Sequence, residues 1–463
     1  MRVAALLFAS MLFPLLFAAA EEEAVLEQKE MEELSEKMRR ILAAKAEYDR
    51  AAELELVGEL EEMITEIERE TGIDDLLAHV GLWNRIRMRA VDGSAPVFRK
   101  TGWGFQEEAF IDGTEAPPRK YVYFISLPDG YDLDAEERYP VILFLHPEIT
   151  GRYRKLEREV SELLDDLFND ERLLEKAVVI APVGPLEKRG RKEEAVDAGK
   201  DWEALEPGRK TSFIAVRLLM EQMVFDRRKL FVYGVGNAAM SAYRYATWYP
   251  GFFAGAVGRD AELGTAAWKN ARGIPLLYLS SSDNDPQREK AALAWMEEHD
   301  EEDGMSITVV RDEGPLLEPS KDATTALMAW MDGIEKNTCP EEVYLRTNDL
   351  AVAGSNWVRI TELNVGLDTM VADPDCPWVR GRVDRASNTV RLETNRVFGL
   401  MLFFNDALLD LDREVGVLVN RKPMFQGMIT RDLETLLELL FYNTAGGTET
   451  YVNFIELGLE EQE

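Results

Sequence analysis

Leu230-Phe231-Val232-Tyr233-Gly234-Val235-Gly236-Asn237-Ala238-Ala239-Met240 is the stretch that decides the fold. Leu230 to Tyr233 is a short apolar run of the kind that forms a buried strand. Gly234 and Ala238 are small, and residues 238 to 248 read as a helix. A strand turning sharply into a helix is the repeating unit of a parallel α/β sheet. The pattern extends both ways along the chain. Upstream, Lys120 to Leu127 is a strand followed by the turn Pro128-Asp129-Gly130. Val141 to Leu145 and Ala177 to Ala181 are short, continuously apolar strands of the kind buried on both faces. They bracket a helix over 154–176, and a further helix over 210–224 leads into the quoted strand. Downstream, the strands Pro275 to Leu279 and Ser306 to Val310 alternate with helices over 286–298 and 321–335. This alternation predicts a doubly wound α/β domain over residues 115–336.

The flanks read differently. Met1-Arg2 precedes an apolar run that closes on Ala18-Ala19-Ala20. This is the pattern of a signal peptide over residues 1–20, with a retained membrane anchor as the alternative. Export implies a secreted or periplasmic protein, and no later segment is long and apolar enough to span a membrane. Residues 21–75 are an acidic helical region, with Leu26, Met31, Leu34 and Met38 at or near helical spacing. Its apolar stripe is expected to pack on the domain that follows; otherwise residues 21–70 offer a surface for self-association or a protein partner. Residues 76–114 read as a linking β or irregular segment.

Residues 337–463 carry short strand-like pieces at Val343–Thr347, Trp357–Ile360, Thr389–Thr394, Leu400–Phe404 and Val415–Val419. Turns at Asn405-Asp406 and Asn420 to Pro423 separate some of them, residues 431–442 read as a helix, and Tyr451 to Leu457 reads as a last strand. A small antiparallel β domain is expected. Trp357, Trp378 and Phe425 are either core residues or platforms for a ligand. Cys339 and Cys376 are either a disulfide or two buried thiols.

Composition narrows the function. The 463 residues hold 86 acidic and 53 basic side chains, a formal charge of -33. Such a surface repels nucleic acid and anionic lipid. The basic run Lys188-Arg189-Gly190-Arg191-Lys192 is a local exception in a charged segment over 187–210. It is read as a solvated loop, with a groove for an acidic ligand as the alternative. Only His79, His146 and His299 supply imidazoles. No grouping of metal-ligand spacing and no phosphate loop stands out, so neither a metal nor a cofactor is expected.

Four local patterns carry a family resemblance: Leu127-Pro128-Asp129-Gly130-Tyr131, Tyr139 to His146, Gly234-Val235-Gly236-Asn237-Ala238, and Tyr249-Pro250-Gly251-Phe252-Phe253-Ala254. About half the chain resembles the secreted α/β-hydrolase esterases related to polyhydroxybutyrate depolymerases and feruloyl esterases. The resemblance implies a serine at the elbow, then an acid, then a histidine, with backbone N–H groups forming an oxyanion hole. Here the elbow is Gly234, Gly236, Asn237 and Ala238, and its nucleophile position is Gly236, which has no side chain. Ser241 falls inside the following helix. Asp283 or Asp285 could fill the acid position, although an Asx turn capping the next helix explains both. Where the histidine belongs, the sequence offers Glu313 and no imidazole. His146-Pro147 replaces the family's His-Gly in the oxyanion loop, and proline removes an N–H.

The expectation is therefore an α/β-hydrolase-like doubly wound sheet with an N-terminal helical region and a small C-terminal antiparallel β domain. It is read as an exported, catalytically inactive protein that binds a ligand, such as a glycan or acyl compound, or a protein partner. The alternatives are an esterase or peptidase with a non-standard site, and an assembly protein acting through its N-terminal helices.

Overall fold

In a computed structural model, residues 26–46, 48–91, 106–112, 119–128, 131, 138–147, 153–168, 170–189, 192–195, 202, 225–264, 266, 268–303, 305–364, 375–442 and 450–459 are described. The signal-peptide run, the helix over 210–224, Asp129-Gly130 and most of the charged segment over 187–210 lie outside them.

The chain begins with three helices: α1 (Gln28–Ala46), α2 (Arg50–Thr71) and α3 (Val80–Val91). Asp49 caps α2 by accepting from the Ala52 N–H, and Gly72 ends it in a left-handed turn at φ +75°. The central sheet then follows. Its strands are β1 (Gln106–Asp112), β2 (Arg119–Ser126), β3 (Val141–Leu145), β4 (Val178–Arg189), β5 (Lys192–Ala195), β6 (Leu230–Val235), β7 (Gly255–Arg259), β8 (Pro275–Ser280) and β9 (Ser306–Arg311). Their spatial order is β1-β2-β4-β3-β6-β7-β8-β9, with β5 paired to β4 as a hairpin. From β4 to β9 the neighbours along this order are parallel, and β2 runs against β1 and β4. The helices between strands are α4 (Tyr153–Leu167), α5 (Glu171–Lys176), α6 (Ala239–Trp248), α7 (Pro286–Asp303) and α8 (Lys321–Asp332).

Separate apolar clusters cover the two faces of the sheet. Leu143, Val232 and Leu276 point to one cluster, and Ile142, Phe231 and Leu277 to the other. Full burial of such side chains stabilises the domain by about 1.5–3 kcal/mol each. This is the doubly wound α/β arrangement expected from the alternation. The sheet starts earlier than residue 115, because β1 joins its edge. The expected single helix over 154–176 is two helices, because the Asp170 carboxylate accepts from the Arg172 N–H and starts a new one. Strand β7 was not anticipated. Its sequence, Gly255-Ala256-Val257-Gly258-Arg259, lacks a bulky apolar run because neighbours press close. A Cβ at Gly255 would stand 2.7 Å from the Trp330 ring, and one at Gly258 would stand 2.6 Å from Tyr243.

The C-terminal domain is two sheets. One has the order β10 (Glu342–Arg346), β13 (Trp378–Asp384), β14 (Thr389–Asn395), β16 (Val415–Val419) and β17 (Lys422–Gly427). The other has the order β11 (Gly354–Ser355), β12 (Val358–Leu363), β15 (Val397–Phe404) and β18 (Asn453–Gly458). The pairing is antiparallel except between β14 and β16, which run parallel. Helix α9 (Leu433–Tyr442) precedes β18. Trp357 is fully buried in this core and donates through Nε1 to the Pro340 carbonyl, 2.7 Å away. Gly381 is required beside it, since a Cβ there would meet the indole at 2.4 Å.

The N-terminal helices pack against this last domain, not the one that follows them. Leu34, Met38, Leu60, Trp83 and Ile86 share one apolar cluster with Val379, Leu400 and Leu436. The linking segment expected over 76–114 contains α3, whose Leu82, Trp83, Ile86 and Ala90 lie on the buried face at helical spacing. Thr450 donates through its hydroxyl to Asn84 Oδ1 at 2.6 Å, so α3 and the last domain also meet through polar groups. Cys339 and Cys376 are two buried thiols that no disulfide joins. The Cys339 thiol lies 3.6 Å from the Asn405 side chain, and the Cys376 thiol faces the Pro377 carbonyl at 3.7 Å.

Candidate functional site

Strand order reverses at β3, whose chain successor β4 lies on one side while β6 lies on the other. Open α/β sheets bind ligands at such a switch point, beyond the carboxyl ends of the strands. Leu145 of β3 pairs with Gly234 of β6, so His146 and Gly236 follow the ends of adjacent strands.

Val235 is extended, and Gly236 turns to φ +61° before Ala238 leads into α6. Glycine takes this left-handed conformation freely, whereas an L-residue is strained there. A Cβ at Gly234 would lie 2.2 Å from the Ala238 carbonyl oxygen, so the turn closes only around glycine. Gly236 is different, since a Cβ built there would meet only Leu316 Cδ2, at 3.8 Å. Asn237 is exposed beside it, and Ser241 is buried within α6.

Leu316 belongs to the segment after β9. Arg259, at the end of β7, holds that segment down. Its Nε donates to the Leu316 carbonyl at 2.7 Å, and its Nη2 donates to Asp312 Oδ2 at 2.6 Å and to the Pro315 carbonyl at 2.7 Å. Both side chains of the Arg259–Asp312 pair are fully buried. Asp312 also accepts from the Gly314 N–H at 2.9 Å and the Ser320 N–H at 3.2 Å. Burial pushes the Asp312 carboxyl up, but these donors and the guanidinium outweigh it and hold the group below its usual range. The preceding bend is fixed by Asp260, at φ +54°, which accepts from the Ser281 N–H at 2.7 Å and from the Ser281 hydroxyl.

Asp283 and Asp285 part company. Asp283 Oδ2 accepts from the Leu316 N–H at 3.2 Å and so lies against the segment over Gly236. Asp285 Oδ1 accepts from the Gln287 N–H at 2.8 Å and caps α7, as an Asx turn does. Glu313 is exposed. His299 lies in α7, and its side chain is outside the described residues.

His146 is fully buried. Its Nδ1 lies 2.7 Å from the Pro147 carbonyl, while Nε2 has no hydrogen-bond partner among the described residues. Burial pushes the imidazole down to about 4, against a smaller opposing effect from the Pro147 carbonyl. It is therefore neutral at pH 7, and the carbonyl contact assigns the proton to Nδ1. Trp202 packs edge-on against the ring at 5.1 Å and donates through Nε1 to the His146 carbonyl at 2.8 Å. The Tyr245 hydroxyl in turn donates to the Trp202 carbonyl at 2.9 Å. Tyr233, under the elbow, has its phenol pushed up to about 12 by burial, so it is no base near neutral pH.

The structure thus gathers Gly236, Leu316 and Asp283 through successive contacts, with His146 beyond the neighbouring strand end. Arg259, Asp260, Asp312 and Trp202 were missed in the sequence. A lone arginine ending a glycine-rich strand carries no pattern of its own in the sequence. Among the described residues, no group of three histidine, cysteine or carboxylate side chains is placed to hold a metal ion.

No protein-family model matches the chain, and no curated protein matches it. Solved structures similar to it include a thermostable esterase, with 14% identity and a TM-score of 0.37 over 50% of this chain and 63% of the other. A ferulic acid esterase has 15% identity and a TM-score of 0.33, covering 50% of this chain and 98% of its own. An S-formylglutathione hydrolase from Agrobacterium tumefaciens has 14% identity and a TM-score of 0.33, covering 51% and 97%.

Proposed function

We propose that this is an exported α/β-hydrolase-like protein that works by binding a ligand or partner and not by acyl transfer. The observation that carries the reading is Gly236. The backbone after β6 turns at Gly236 with φ +61°, the position has no side chain, and Leu316 stands over it. Acyl transfer by this fold needs a hydroxyl there, an imidazole to take its proton, and N–H donors for the oxyanion. The segment after β9 contains no histidine between Arg311 and Ser320. The one described imidazole near the elbow, His146, is buried with its Nδ1 engaged by Pro147. Export is supported by the apolar run that ends at Ala20.

The test is active-site chemistry on the whole chain. No labelling by a fluorophosphonate probe and no burst with activated acyl esters are expected. Stoichiometric labelling would overturn the reading in favour of an esterase or peptidase with a non-standard site.

A further inference from the structure

The strands β12, β15 and β18 carry a row of side chains across one face of their sheet. Met401 of β15 pairs with Arg359 of β12 on one side and with Glu456 of β18 on the other. Paired residues project to the same face, and alternation turns Leu400 and Leu402, the neighbours of Met401, into the core. Helix α9 stands beside this row. A cavity of about 400 Å³ opens here, lined by Arg359, Met401, Phe454 and Glu456 of the sheet and by Glu438 and Leu439 of α9. Sites for small molecules are mostly apolar clefts of about 300–1,000 Å³ that hold a few placed polar groups.

Met401 and Phe454 are half-buried, so the apolar wall is only partly covered by the protein itself. Two carboxylates share the cavity with that wall. Neither the Glu438 nor the Glu456 side chain has an ion pair or hydrogen bond among the described residues. Arg50, at the start of α2, interacts with Glu438 only at longer range, and its own ion pair is with Glu53 at 2.9 Å. Arg359 is the one cation in the lining, and it is already engaged by another contact. The cavity thus joins apolar surface to two carboxylates that no cation pairs.

We propose that this cavity binds a small organic cation, a primary amine on an apolar body, with its ammonium against Glu438 and Glu456 and its body against Met401, Phe454 and Leu439. An anion of the same shape would bring a like charge to both carboxylates. A neutral molecule would leave them without a counter-charge, and a diamine with no apolar body would leave the wall uncovered. The formal charge of -33 acts in the same direction, since it raises the concentration of cations at the surface and lowers that of anions. The cavity lies in the C-terminal domain, so the proposal does not depend on the reading of Gly236. Fluorophosphonate labelling reports on the α/β domain, and either idea can fail alone.

The test is calorimetric titration of the whole chain with phenylbutylamine, phenylbutyrate, phenylbutanol and putrescine. Phenylbutylamine should bind about tenfold or more tighter than each of the other three, and should weaken as salt is raised from about 0.1 M to 0.5 M. Glu438 and Glu456 are both exposed, so the double variant Glu438→Gln, Glu456→Gln keeps its fold. It should weaken phenylbutylamine about tenfold. Glu297→Gln, an exposed change on α7, removes a charge elsewhere and should leave the affinity as it was. No binding of phenylbutylamine, equal binding of phenylbutyrate, phenylbutanol or putrescine, an undiminished affinity in the double variant, or an equal loss in Glu297→Gln would each overturn the proposal.

Discussion

Arg431 Nη1 lies 3.0 Å from Asp75 Oδ2, an ion pair between residues 356 positions apart. The same guanidinium makes two bonds to Asp406, at 2.5 and 2.9 Å, and one to Asp412 at 2.8 Å. It therefore ties the turn after α2 to the turns of the C-terminal domain, at the edge of the apolar cluster that the two regions share. Arg431 is 10% exposed and Asp406 15%. Removing the cation leaves the Asp406 carboxylate largely desolvated and unpaired. Arg431→Met should therefore cost about 3 kcal/mol in denaturant unfolding. Asp75→Asn removes only the more exposed link and should cost about 1 kcal/mol or less. Equal effects would show that the bridge to Asp75, and not the Asp406 pair, dominates.

The elbow glycines should separate in mutagenesis. Gly234→Ala drives a Cβ into the Ala238 carbonyl, a backbone group that cannot swing aside, so a loss of about 3 kcal/mol or more is expected. Gly236→Ser meets only Leu316, at ordinary contact distance, and pays mainly for its positive φ, about 1–3 kcal/mol. It places a hydroxyl at this turn without supplying a base. The variant should fold and still resist the fluorophosphonate probe. Labelling would reveal a base that the described residues do not contain.

His146 gives a pH dependence whose sign follows from burial. Its folded value is about 4, below the unfolded value of about 6.5. As pH falls below 6.5 the unfolded chain takes up a proton that the folded chain refuses, so stability falls. The loss levels off below about pH 4, where both states are protonated. Between pH 7.5 and pH 5 the imidazole should account for about 2 kcal/mol of lost stability. His146→Gln should flatten that part of the profile. The measurement is urea unfolding of both proteins at the two pH values, with the difference between them as the readout. Identical pH profiles would mean that His146 reaches solvent.

The central sheet was legible because parallel strands buried on both faces announce themselves as continuous apolar runs. Val141 to Leu145 is such a run, and its expected boundaries are those observed. Strand β7 was not legible, because its glycines answer to Trp330 and Tyr243, residues far away in sequence. Helix α3 was missed for a related reason, since the partners of Trp83 and Ile86 lie in the C-terminal domain. In the site, the tight turn after β6 could be found because its small residues are local to it. Arg259 and Asp312 could not, because a buried ion pair is a relation between two strand ends with no local pattern.

The Arg259–Asp312 pair is the clamp on the segment that covers Gly236, and its energetics can be measured. Both side chains are fully buried, and Arg259 Nη1 has no hydrogen-bond partner among the described residues. Arg259→Met alone strands a buried carboxylate and frees the Leu316 and Pro315 carbonyls. A loss of about 3–5 kcal/mol is expected, with faster proteolysis between residues 313 and 318. Asp312→Leu alone strands the guanidinium and also leaves the Gly314 and Ser320 N–H groups unpaired, so it should cost as much or more. The double variant removes both charges, and its loss should be smaller than the sum of the two by about 2 kcal/mol or more. It should not return to the parent value, because the backbone groups that Arg259 and Asp312 served are still unpaired. Simple additivity would mean that the two side chains do not interact, and that the segment over Gly236 is held by its backbone contacts alone.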